Sequence, residues 1–207
     1  FTYFHYANVV YTYHLGVRFS TCLTRRAGAR AARAPMTAAH RSFTLNAARN
    51  LSLTRGQIIS AITACADAFL NPPIGNLGYR GIEKGGKLVR TWLQRTGNPQ
   101  RDLPQAALLM EKAGTGGALF RNLYRDFLAE CTELFDSRHL RAGHELYIEA
   151  AILWTEVAAL ITKAGESGNA QCLVQAGALL CDLSRIEREA MEALSCLGGD
   201  TASPIQS

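Results

Sequence analysis

Between Ala118 and Leu197 the chain carries three long runs of apolar residues at helical spacing, parted only by short polar or glycine breaks. An amphipathic helix must bury its stripe, and long helices joined by short breaks fold back on one another. The pattern therefore predicts an antiparallel bundle. The first run, 118–136, puts Leu119, Phe120, Leu123, Phe127, Cys131 and Leu134 on one stripe. The second, 138–164, does so with Leu140, His144, Tyr147, Ala151, Trp154, Ala158 and Ile161 before a break at Gly165–Gly168. The third, 169–197, aligns Leu173, Ala176, Leu180, Leu183, Ile186, Ala190 and Leu194, with Arg185, Glu187, Arg188, Glu189 and Glu192 on its wet side.

Shorter helices precede these. Thr54 is placed to cap a helix whose face is Ile58, Ile59, Ile62, Cys65, Ala66 and Phe69, ending before Asn71-Pro72-Pro73. A helix over 81–94 carries the pair Gly85-Gly86, which costs about 1 kcal/mol per glycine against Ala unless a neighbour packs closely there. Gly97-Asn98-Pro99 closes it, and Pro104 suits the first turn of a short helix reaching Ala113. The fold class is mainly α, a bundle of about five to six helices. Residues 1–15, rich in Tyr, Phe, Val and Thr, read as one strand or a hairpin, a short β-prone remnant. Residues 18–49 are Ala- and Arg-rich with no clean period, suggesting poor order or weak helix.

Charge divides the chain. All 17 acidic residues lie at or after Asp67, so residues 1–66 carry +8, and the rest, with 14 bases against 17 acids, carries −3. An acid-free Arg-rich leader fits an organelle address or a nucleic-acid arm. Its Phe-Thr-Tyr-Phe-His-Tyr opening argues against both, and the acidic helical part argues against nucleic acid. The lack of an initiator Met suggests a piece of a longer protein. No apolar run approaches the roughly 18 residues of a membrane helix, so no membrane partner is expected. Cys22, Cys65, Cys131, Cys172, Cys181 and Cys196 form no CxxC pair, which disfavours a metal site and suits buried free thiols in a reducing, cytoplasmic compartment.

The stretch Gly114-Thr115-Gly116-Gly117 is a tight turn launching a buried helix, whose early Arg121, Tyr124 and Arg125 share one strip at i, i+3 and i+4. Amides at a helix start can cradle an anion, with Arg121 and Arg125 reinforcing them. The other reading is a plain turn with Thr115 as a cap. His144 reads as a core histidine, and Glu145, Glu149 and Glu156 as a solvated face rather than a metal row. Nothing flanking Cys22 marks an activated thiol.

The run Phe69-Leu-Asn-Pro-Pro-Ile-Gly-Asn-Leu-Gly-Tyr-Arg-Gly-Ile82, then Trp92, then Gly114-Thr-Gly-Gly-Ala-Leu-Phe-Arg-Asn-Leu-Tyr-Arg-Asp-Phe-Leu128, then Trp154-Thr155, resembles the helical C-terminal domain of the butirosin-biosynthesis protein H family over about residues 50–195. The resemblance implies a cytoplasmic enzyme of bacterial natural-product biosynthesis. In it, a papain-like half with a His-activated Cys moves an aminoacyl group from the phosphopantetheine thioester of an acyl carrier protein onto an amine. Phe4-His5-Tyr6-Ala7-Asn8-Val9-Val10 is similar to the family's histidine-bearing strand, so the resemblance gives His5 the catalytic base role. It departs from the family in lacking the motif's second His, and in having His14-Leu15-Gly16 where a Gly-Tyr-Asp turn is expected.

By this resemblance, residues 1–50 are a remnant of, or linker from, a peptidase-like domain, 51–197 the helical domain and 198–207 a flexible tail. The expected function is a helical accessory domain of a thioester-dependent acyltransferase, inactive alone, with no resident cofactor and with phosphopantetheine as a substrate arm. Gly114–Gly117, Arg121 and Arg125 would position that arm's phosphate or an acidic carrier helix. The expected partners are an acyl carrier protein or the catalytic half, with self-association left open. A non-enzymatic helical interaction module is the alternative.

Overall fold

A computed structural model of the chain describes residues 17–23, 41–47, 54–112 and 117–198. Two strands, β1 (Val17–Leu23) and β2 (Arg41–Ala47), pair antiparallel from Val17↔Ala47 to Leu23↔Arg41. They fall inside the stretch expected to lack a period. Each is a short alternation, Val17, Phe19, Thr21, Leu23 and Phe43, Leu45, Ala47, that the surrounding Ala and Arg obscure. The strand expected over residues 1–15 lies outside the described residues.

Seven helices follow among the described residues: α1 (Arg55–Leu70), α2 (Gly78–Val89), α3 (Trp92–Arg95), α4 (Pro99–Lys112), α5 (Ala118–Leu134), α6 (Arg138–Ser167) and α7 (Ala170–Ser195). The mainly α reading holds. The count exceeds six because the helix expected over 81–94 divides at Arg90-Thr91 into α2 and α3.

α1 starts on a capping box. The Thr54 hydroxyl accepts from the Gln57 amide (3.3 Å) and the Gln57 side chain accepts from the Thr54 amide (2.9 Å), satisfying two amides that the helix itself leaves open. Its buried face is the one the spacing predicted, Ile58 to Phe69. Gly78 opens α2 at φ +59, and a side chain there would also collide with the Phe69 carbonyl, so only glycine fits this joint. α4 begins earlier than its sequence suggests: the Asn98 side chain accepts from the Arg101 amide (3.2 Å), Pro99 takes the first helical position, and Pro104 lies within the helix. Ser137 and Asn169 cap α6 and α7, and Gly168 ends α6 at φ +69.

α6 and α7 form the central antiparallel pair and share the largest interface. Gly143 of α6 lies against the Leu194 side chain near one end, and Trp154 meets Glu187 near the middle. α4 covers the C-terminal half of α6, where Gly165 approaches Pro99, Leu103 and Pro104. α5 covers the N-terminal half, where Tyr124 meets Tyr147. α1 and α2 lie on α7. Of the paired glycines, only Gly86 is needed for packing, because its backbone approaches that of Gly177 on α7.

Candidate functional site

Three of the four turn glycines and hydroxyls, Gly114, Thr115 and Gly116, lie outside the described residues, as does His5. Gly117 is the N-cap of α5 in extended backbone (φ −134) and is buried; a side chain on it would run into the Met110 backbone. Packing alone therefore demands glycine at 117.

Arg121 corrects the sequence reading. It does not lie on an outward strip: it is 2% exposed, and its partner Glu187, expected on the wet side of α7, is 0% exposed. Arg121 Nε donates to Glu187 Oε1 (2.7 Å) and Nη2 donates to Oε2 (2.9 Å), a two-pronged contact between residues 66 positions apart. Trp154 of α6 completes the arrangement. Its Nε1–H donates to Glu187 Oε1 (2.5 Å), and the Arg121 guanidinium lies over the indole, 4.5 Å from the ring centroid. α5, α6 and α7 each contribute one residue. The apolar face of α5 is rotated from the expected stripe, so that Ala118, Arg121, Tyr124 and Leu128 point inward while Leu134 is exposed.

Burying two charges costs several kcal/mol per ion, and only close geometry with further hydrogen bonds offsets this. Both Glu187 oxygens already accept side-chain N–H groups inside the core. The cluster therefore fixes how three helices register on one another rather than offering an acid or base to solvent. Tyr124 is likewise inside, edge-on to Tyr147 with centroids 4.7 Å apart. Burial holds both phenol groups well above their usual range; for Tyr147 the Glu187 carboxylate adds to this and Arg121 opposes it.

Arg125 alone of the three keeps to the surface, half-buried. It donates to Asp126 (2.8 and 2.6 Å) and to Asn122 (2.6 Å). The candidate anion surface thus reduces to Arg125, two turns into α5.

Burial pushes the Cys65 and Cys131 thiols up to about 12, so both stay protonated and non-nucleophilic at neutral pH. Cys172 is buried, Cys181 half-buried and Cys196 exposed; none of the five forms a disulfide among the described residues. Glu145, Glu149 and Glu156 are exposed, as the spacing suggested, whereas His144, expected in the core, is only half-buried. No group of His, Cys, Asp and Glu among the described residues could hold a metal ion, and none of their helices is long and apolar enough to cross a membrane.

Fold and site together define a mainly helical domain pinned by a buried Arg–Glu–Trp cluster. Residues 26–194 match the family described as a domain of unknown function, DUF4872, and the chain belongs to that family. No curated protein and no solved structure matches the chain. Periodicity assigns a lone Arg or Glu to water, which hid the paired charges; the available signal was Glu187, spaced seven residues from both Leu180 and Leu194 of the predicted α7 stripe.

Proposed function

We propose that this chain is the helical accessory body of a cytoplasmic, thioester-dependent acyltransferase similar to butirosin-biosynthesis protein H. It would serve transfer of an acyl group from the phosphopantetheine arm of an acyl carrier protein to an amine. The observation that carries this reading is where the resembling stretches fall. Residues 69–82 form the Gly78 joint, 117–128 open α5 and deliver Arg121, and Trp154 binds the carboxylate that Arg121 needs. Stretches far apart in sequence that build one framework support a shared fold more strongly than isolated motifs do. Cys65 and Cys131 suit an accessory role, because thioester chemistry needs a thiolate and both are held as thiols. The nucleophile then belongs to a papain-like half, with His5 as its base by the same resemblance. Arg125 remains the group offered to an anionic arm; Arg121 has no part in it.

Titrating the isotope-labelled chain with phosphopantetheine-bearing acyl carrier protein from the same genome tests this. Amide shifts around Arg125 are expected. Arg125→Ala should weaken binding several-fold at low salt, with the difference fading as salt rises. No shift at about millimolar carrier removes the carrier reading.

A second reading, a non-enzymatic interaction module, is favoured by the exposed Ile148 and Ile152 of α6. Combining the chain with the papain-like half separates the two. Acyl loss from loaded carrier in the presence of an amine supports the enzyme; a carrier that stays loaded supports the module.

A further inference from the structure

Two helix faces on opposite sides of the charge ledger have the same make-up. On α2, Arg80, Lys84, Lys87 and Leu88 are all exposed and lie along one strip, and residues 78–90 hold four bases against the single acid Glu83. Leu88, a large apolar side chain, is 39% exposed there. On α6, Glu145, Glu149 and Glu156 form an exposed strip with Ile148 and Ile152, which are 40% and 63% exposed. No Lys or Arg occurs between Arg141 and Lys163. None of the three carboxylates takes part in an ion pair among the described residues. At about 1.5 Å per residue, the α6 strip from 145 to 156 runs roughly 16 Å and the α2 strip from 80 to 88 roughly 12 Å, so the α2 strip fits within the length of the α6 strip.

We propose that this protein associates with a second copy of itself, the basic α2 strip of one molecule seating on the acidic α6 strip of the other, with Leu88 meeting Ile148 and Ile152. The α6 strip carries carboxylates on either side of Ile148 and Ile152, and the α2 strip carries bases with Leu88 at its C-terminal end. Two like strips repel, whereas the unlike pair attracts and covers apolar surface on both sides. Glu83 already holds Lys87 (2.6 Å), and Lys84 donates to Asn76 (2.7 Å), contacts that the partner's α6 carboxylates would share or replace. A contact of one helix strip on another falls at the small end of specific interfaces, below about 1,200 Å² in total. The association is accordingly weak and salt-sensitive.

Sedimentation of the full chain at about 200 µM, in about 30 mM and about 300 mM salt, is the test, since the Debye length falls from roughly 18 Å to roughly 6 Å between the two. The larger species is expected at low salt and should be lost at the higher salt. K84E/K87E and E145K/E149K should each sediment as monomers at low salt with unchanged helix content by circular dichroism. An equimolar mixture of the two should restore the larger species, because each variant then offers the strip its counterpart lacks. A wild-type monomer at low salt, an association indifferent to both charge reversals, or a mixture that stays monomeric would each overturn the proposal.

Discussion

Gly86 and Gly177 face each other across the α2–α7 contact: a methyl group on Gly177 would sit 2.5 Å from the Gly86 carbonyl oxygen, and one on Gly86 2.8 Å from the Gly177 carbonyl oxygen. Backbone meets backbone, so neither side chain can rotate away. Gly86→Ala should therefore destabilise, the overpacking cost of about 1–3 kcal/mol exceeding the gain of up to about 1 kcal/mol in helix propensity. Its neighbour Gly85 has nothing within 4 Å of an added methyl group, and Gly85→Ala should stabilise by about 0.5–1 kcal/mol. Urea midpoints moving in opposite directions for two adjacent substitutions is the expected result; midpoints moving the same way would contradict the crossing.

Removing one member of the buried pair strands the other. Glu187→Gln should cost about 3–5 kcal/mol and lower the melting temperature by roughly 10 °C or more for a chain of this size. A double variant, Arg121→Met with Glu187→Leu, removes both charges and should recover most of that loss. If the single and double variants melt alike, the ion pair does not hold the helices.

Trp154→Phe keeps a ring beneath Arg121 but deletes the N–H that Glu187 accepts. The expected loss is about 1.5–3 kcal/mol, as for a hydrogen bond to a charged group. In the Glu187→Leu background the same substitution should cost much less, because no carboxylate remains to be served. Equal losses in both backgrounds would mean the indole acts by volume alone.

Cys65 and Cys131 are raised by burial from 9.0 to about 12, so the folded state favours their protonated form. Between those values the folded chain binds more protons than the unfolded one. Stability from this source is whole below about pH 9 and drains away as pH climbs toward 12. The urea midpoint should fall between about pH 8 and about pH 10.5, and fall less in Cys65→Ala/Cys131→Ala, measured at the same two values. An identical fall in both proteins would place the alkaline sensitivity elsewhere; Tyr124 and Tyr147, also raised, are common to both.

Sequence was sufficient for α1, where Thr54 and the spacing of Ile58, Ile59, Ile62, Cys65, Ala66 and Phe69 gave cap and face together. It was sufficient for the α6 and α7 stripes too, because a long helix repeats its signal over several turns. It failed on β1 and β2, whose seven-residue alternations are too brief to stand out from Ala and Arg. It failed on α5, where seventeen residues admit two nearby stripes and the charge of Arg121 favoured the wrong one.

What local pattern determined, then, is where helices start, stop and turn an apolar side inward, since those depend on residues within a few positions of each other. What only the tertiary structure decided is which charges go inside. Arg121 and Glu187 are each unfavourable in the core alone and tolerable only together, and that partnership spans 66 residues and three helices. The same distance dependence separates Gly85 from Gly86: identical residues in sequence, one set apart by the arrival of Gly177 from the far end of the chain.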